Sequence, residues 1–149
     1  MDLIQILSGV ELFEGLSAEE ITHIASLCQQ KEFQDNQVVA AQGSPGLQLF
    51  IIQEGFVEVS VQRKGGSAGK VIVNLGIGQT VGEMSLIDQG LRSATVKAIS
   101  SPTIVQVISQ QDFEKLCEKD THIGYVVMRN IATDLSFRLR QRHMVDLIG

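Results

Sequence analysis

Two opposite charges stand nine residues apart in the segment VGEMSLIDQGLRSATV, Val81 to Val96, of an otherwise apolar stretch: Glu83 and Arg92. Gly82 has no Cβ, so a ligand can approach the backbone closely there. The residues after it, Glu83, Met84, Ser85, Leu86 and Ile87, can form one short helical turn whose free amides point back at the same place, a geometry suited to an anion. Arg92 would arrive on the next strand and return to that turn with a fixed fork of donors that matches a phosphate. Glu83 repels a phosphate but accepts a hydrogen bond from a sugar hydroxyl, as acidic residues do in dinucleotide sites. One arginine for phosphate and one carboxylate for ribose describe a nucleotide pocket. The spacing equally allows Glu83 and Arg92 to pair with each other, above all when such a pocket is empty, since buried opposite charges are tolerated when paired.

Little else in the chain suggests chemistry. His23, His122 and His143 are not spaced four apart from one another or from a cysteine, so no metal site is expected. No nucleophile and base stand in a recognisable arrangement, so an enzyme is not expected. Cys28 and Cys117 lack metal-type spacing, and no targeting segment opens the chain, which places it in a reducing cytoplasm. No run reaches the roughly 18 apolar residues of a membrane span. With 12 basic against 17 acidic residues and a net charge of -5, the chain lacks the field that draws a domain to DNA.

The elements that would carry the pocket can be read from periodicity. The 149 residues, 44% hydrophobic, suit one domain. It would have a helical N-terminal segment to about residue 30, a β-barrel over 31–108 and C-terminal helices over 109–149. Ser17 with Glu20 fits a capping box, and Ile21, Ile24, Ala25 and Cys28 continue a helix over 18–29. From Phe33 to Val73 the apolar residues fall in short β-branched runs. Glycines punctuate them at 43–46, 54–55, 65–69, 76–78 and 89–90, and six or more strands so spaced read as a sandwich or barrel. The expected fold is α+β, mainly β, with an antiparallel jelly-roll barrel. Ser109 is a plausible N-cap for a helix with Phe113, Leu116 and Cys117 on one face. From Thr121 a longer helix carries Val127, Ile131, Leu135 and Leu139 in a stripe among Arg129, Arg138, Arg140 and Arg142. That stripe can pack on the chain's own barrel or pair with a second copy, and periodicity does not choose.

The run Gly82-Glu83-Met84-Ser85-Leu86-Ile87, a short loop, and Arg92-Ser93-Ala94-Thr95-Val96 resembles the phosphate-binding cassette of cyclic nucleotide-binding domains, the family of the catabolite activator protein and the protein kinase A regulatory subunit. Leu12-Phe13 with Leu16, Gly43, Leu49-Phe50-Ile51-Ile52, Gly55, Val57-Glu58-Val59 and Gly78 match the family's other positions, so the resemblance runs from about residue 10 to 145. Val81 departs from it, standing where the family often has phenylalanine.

The resemblance implies that Glu83 accepts the ribose 2′-hydroxyl and that Arg92 pairs with the exocyclic oxygens of the cyclic phosphate. Gly82 would lie against the ribose, and Ser85, Ser93 and Ala94 would offer hydroxyl or backbone donors, with Met84 in the same turn. Base contacts come in this family from barrel strands and the terminal helix, which nominates Val73, Arg142 and His143. Cyclic AMP is the expected ligand, with cyclic GMP the alternative. Binding would draw the cassette inward while a hinge between Phe113 and Thr121 lets the terminal helix repack, so the chain is expected to be a sensor that signals through that helix. The chain stops at Gly149 without the helix-turn-helix of the activator family, and no kinase-inhibiting segment precedes the domain, which leaves the effector unspecified. The competing expectations are a vestigial barrel acting as an interaction protein and the sensor half of a truncated transcription regulator.

Overall fold

The computed structural model of the chain describes residues 1–62, 70–88 and 90–148, with the backbone alone described for Val71 and for 143–148. The turns expected at 65–69 and at Gln89 lie outside the described residues. At the N-terminus α1 (Leu3–Ser8) and α2 (Ala18–Ala25) flank a 3-10 turn, Glu11–Phe13. Among the described residues eight strands follow: β1 (Gln29–Phe33), β2 (Val38–Ala40), β3 (Gln48–Glu54), β4 (Val57–Val61), β5 (Lys70–Leu75), β6 (Thr80–Val81), β7 (Thr95–Ala98) and β8 (Thr103–Ser109). They form two antiparallel four-stranded sheets, ordered β1-β8-β3-β6 and β2-β7-β4-β5. The chain closes with α3 (Gln110–Lys119) and α4 (Thr121–Ile148). This is the expected jelly-roll arrangement with helices at both ends.

The capping box reads true: Ser17 Oγ accepts from the Glu20 amide, and Glu20 Oε1 accepts from the Ser17 amide at 2.9 Å. The helix is shorter than the expected 18–29, however. The Ser26 amide bonds back to Thr22 and the Ser26 hydroxyl to the His23 carbonyl, while Leu27 and Cys28 make tight three-residue bonds that end the helix. Gln29 onward is then claimed by pairing with β8. β1 went unread because Gln29, Gln30, Lys31 and Glu32 are all exposed on an edge strand, where no apolar alternation is needed.

β3 explains why Leu49-Phe50-Ile51-Ile52 is an unbroken apolar run. Alternate side chains of a strand point to opposite faces, and here both faces are covered. Phe50 and Ile52 join Val57, Val96, Val105 and Val107 between the sheets. Leu49 and Ile51 join Ile24, Phe113, Ile123 and Val127 beneath the helices. At about 1.5–3 kcal/mol for each large side chain fully buried, the two faces of this strand are a principal source of stability.

The α4 stripe divides. Val127 is fully buried and Ile131 is 3% exposed in the chain's own core, whereas Leu139 is 66% exposed and neighbouring Phe137 60%. The first half therefore packs on the chain itself. Asn130 fastens this half by donating from Nδ2 to the Leu12 and Glu14 carbonyls at 2.9 Å each. Beyond the partly buried Leu135, Phe137 and Leu139 are uncovered. Among the described residues no helix is long and apolar enough to cross a membrane.

Glu20 also anchors the start of α4: its Oε2 lies 2.6 Å from Nδ1 of His122. The Ser17 amide first and His122 second hold the Glu20 carboxyl below its ordinary 4.5, and Glu20 raises the His122 imidazole above 6.5. The histidine's contribution is complete below pH 6.5 and fades as the pH rises through its raised value; the carboxylate's is complete above 4.5 and fades as the pH falls through its lowered value. His122→Gln is therefore expected to lower the melting temperature slightly between pH 4.5 and 6.5 and to leave it unchanged in alkaline buffer, as a thermal-melt series across pH would show.

Candidate functional site

Gly82 adopts a left-handed backbone, φ 85°, and opens the expected turn, a 3-10 helix over Glu83–Leu86. Its missing Cβ is a steric requirement: an added methyl would sit 2.8 Å from the Gln48 carbonyl oxygen and collide with the Arg92 guanidinium. The Ser85 amide bonds back to the Gly82 carbonyl at 2.9 Å and the Ser85 hydroxyl donates to the same oxygen. Ser85 is thus a buried brace of the turn.

Arg92 lies in the segment before β7, not on a strand as expected. Leu91 makes a single antiparallel bridge with Pro45, and Arg92 exchanges backbone bonds with the turn at 43–44 instead of a strand. The Arg92 amide donates to the Ser44 carbonyl at 2.7 Å and the Gly43 amide to the Arg92 carbonyl at 2.8 Å. With its backbone so fixed, the side chain reaches β3: Nη2 donates to the Gln48 carbonyl at 2.6 Å, and the guanidinium sits 5.2 Å from the Phe50 ring centroid. One of five N–H donors is spent on Gln48, leaving others for an anion.

Glu83 takes a different partner. The Thr80 hydroxyl donates to Glu83 Oε1 at 3.1 Å. Glu83 and Arg92 do not form an ion pair; among the described residues those pairs are Lys97–Glu58, His122–Glu20 and Arg138–Asp134. The two charges do not neutralise each other in the structure, because each is held by a neighbour on its own side. They still sense one another: burial lowers the Arg92 pKa and the Glu83 charge opposes that shift.

A cavity of about 380 Å³ gathers the cassette, lined by Gly82, Glu83, Met84, Ser85, Arg92, Ser93 and Ala94 together with Val73 of β5. Its size suits a small organic ligand. Arg142 is exposed and lies outside the lining; Arg138, one turn earlier on α4 and held 2.9 Å from Asp134, takes that place. The side chain of residue 143 is outside the described ones. Sequence reasoning missed Arg138, Thr80, Gln48 and Phe50. The Asp134 to Arg138 spacing of four was a signal for a fixed arginine, but nothing local marks the carbonyl of Gln48 as an acceptor. Among the described residues no group of three metal-type ligands occurs.

The two antiparallel sheets and the cavity at the Gly82 turn are the features to set beside known proteins. The sequence profile of the cyclic nucleotide-binding domain matches residues 30–120, and the chain belongs to that family. The chain is 29% identical over 144 residues to the cyclic AMP receptor protein of Thermus thermophilus, covering 96% of this chain and 64% of that one. It is 32% identical over 128 residues to glutaminase 1 of Bradyrhizobium diazoefficiens, covering 86% of this chain but 20% of that protein. The crystal structure of a cyclic nucleotide-binding domain from Methylobacillus flagellatus superposes with a TM-score of 0.79 at 28% identity, over 97% of this chain and 80% of that one. The chain thus spans under two thirds of the full length of both of these sequence relatives.

Gly82→Ala tests the turn. The left-handed backbone alone should cost about 1–2 kcal/mol, and the contact with the Gln48 carbonyl adds to it. A loss of stability on that scale in denaturant melts is the expected result.

Proposed function

We propose that the chain is a sensor module that binds a cyclic nucleotide, cyclic AMP by preference, and signals by repositioning α4 without catalysis. The observation that carries this reading is the pocket itself, in which Glu83 and Arg92 share one cavity yet are held apart by separate partners. The guanidinium is assigned to the cyclic phosphate, whose single charge persists at physiological pH, and the carboxylate to the ribose 2′-hydroxyl. Gly82, Met84, Ser85, Ser93 and Ala94 form the wall against the sugar-phosphate. The preference for adenine rests on the receptor relative, named for cyclic AMP. Cyclic GMP is the alternative, because the cassette meets only sugar and phosphate.

The base would lie toward Val73, with Arg138 of α4 above it. Arg142, the sequence candidate, would come into play only through a shift of α4. The joint between α3 and α4 is Asp120, whose extended backbone interrupts the helix, so α4 can turn there without breaking its own hydrogen bonds. A nucleotide moves α4 only by its difference in affinity for the two positions. The exposed Phe137 and Leu139 make the second half of α4 the expected surface for a homodimer or an effector, with binding and association then coupled reciprocally. With Cys28 and Cys117 unpaired, the cytoplasm is the compartment assigned. DNA binding is not assigned to this chain by itself.

Titration calorimetry with cyclic AMP and cyclic GMP tests the reading: saturable heat is expected with both, stronger with the adenine ligand. No heat and no thermal shift at millimolar nucleotide would leave only a non-binding interaction protein. Arg92→Ala is expected to weaken binding at least about tenfold while the protein remains folded, and an unchanged affinity removes Arg92 from the site.

A further inference from the structure

We infer that Thr80 is a positioning residue for Glu83, holding the carboxylate off Arg92 and thereby setting the pocket's preference for a ligand with a 2′-hydroxyl. This rests on the assignment of Glu83 to the ribose. Thr80 belongs to β6, where it pairs with Ile51 in the middle of the buried strand β3, so its backbone is fixed by the core. Its β-branched side chain has few rotamers, and the hydroxyl meets Glu83 Oε1 at 3.1 Å. Among the described residues no other hydrogen bond reaches the Glu83 carboxylate, so Oε2 is left for a ligand hydroxyl.

The alternative position for that carboxylate is clear from the charges. Arg92 already senses Glu83, and its guanidinium retains unspent donors. Without the Thr80 hydroxyl, the carboxylate can turn toward that guanidinium, which lines the same cavity. A carboxylate drawn onto Arg92 would be lost as the sugar acceptor, while the guanidinium, with five donors in all, would still have N–H groups for the phosphate. Thr80 on one side and the Gln48 carbonyl on the other hold the two groups in place, so the carboxylate stays available to a ligand's 2′-hydroxyl.

Thr80→Val keeps the shape and strand propensity and removes the donor, whereas Thr80→Ser keeps the donor. Calorimetry on the full chain compares cyclic AMP with its 2′-deoxy analogue, which has no hydroxyl for Glu83 to accept. Thr80→Val should weaken cyclic AMP about tenfold and the deoxy analogue less than about twofold, with Thr80→Ser returning to within about threefold of the unmodified chain. Equal losses for the two ligands, no loss at all, or a serine variant as weak as the valine one would each overturn the inference. Thr80→Ala, measured in parallel, supplies the same comparison if the valine variant does not fold. An unmodified chain that binds neither ligand overturns the sensor reading and this inference with it. Sound binding that is indifferent to Thr80 overturns this inference alone.

Discussion

The burial of β3 on both faces is the constraint on which the rest of the structure depends. Its hydrogen bonds to β8 and β6 tie one sheet together, and its side chains enter both cores. The same strand supplies the Gln48 carbonyl and the Phe50 ring that hold Arg92, and it pairs with the residues Thr80 and Val81 that lead into the cassette. A site built on a strand that cannot shift without disturbing two cores inherits its rigidity. The opposite charges of the pocket can then be kept apart at fixed positions, which a flexible loop would not do.

The helices stand in a different relation to that core. α4 is anchored through Ile123, Val127, Ile131, Asn130 and the Glu20–His122 contact, then continues past its packing partners. Arg138 lies beyond the last fully anchored turn and reaches the cavity wall, so the cavity sees the part of α4 least committed to the core. That division sets a cassette held against β3 opposite a helix that is anchored over part of its length.

Much of this was legible beforehand, for local reasons. The Ser17 and Ser109 caps, the Gly82 turn and the strand-rich middle follow from hydrogen bonding and sterics within a few residues. The polar β1 was not legible, because an exposed edge strand has no apolar period. The placement of Arg92 before β7 was not either, since its backbone partners, Gly43 and Ser44, are about fifty residues away. The substitution of Arg138 for Arg142 as the α4 residue at the cavity turns on where a long helix crosses the barrel, which periodicity does not encode.

By itself, the sequence determined the class of elements, the family and the cassette with its one carboxylate and one guanidinium, because residue type and short spacing carry that chemistry. Tertiary structure alone decided whether Glu83 and Arg92 neutralise one another. They do not, because Thr80, Gln48 and Phe50, brought alongside by strand pairing, offer each charge a partner of its own. The two charges of that apolar segment are kept apart by neighbours that only folding supplies.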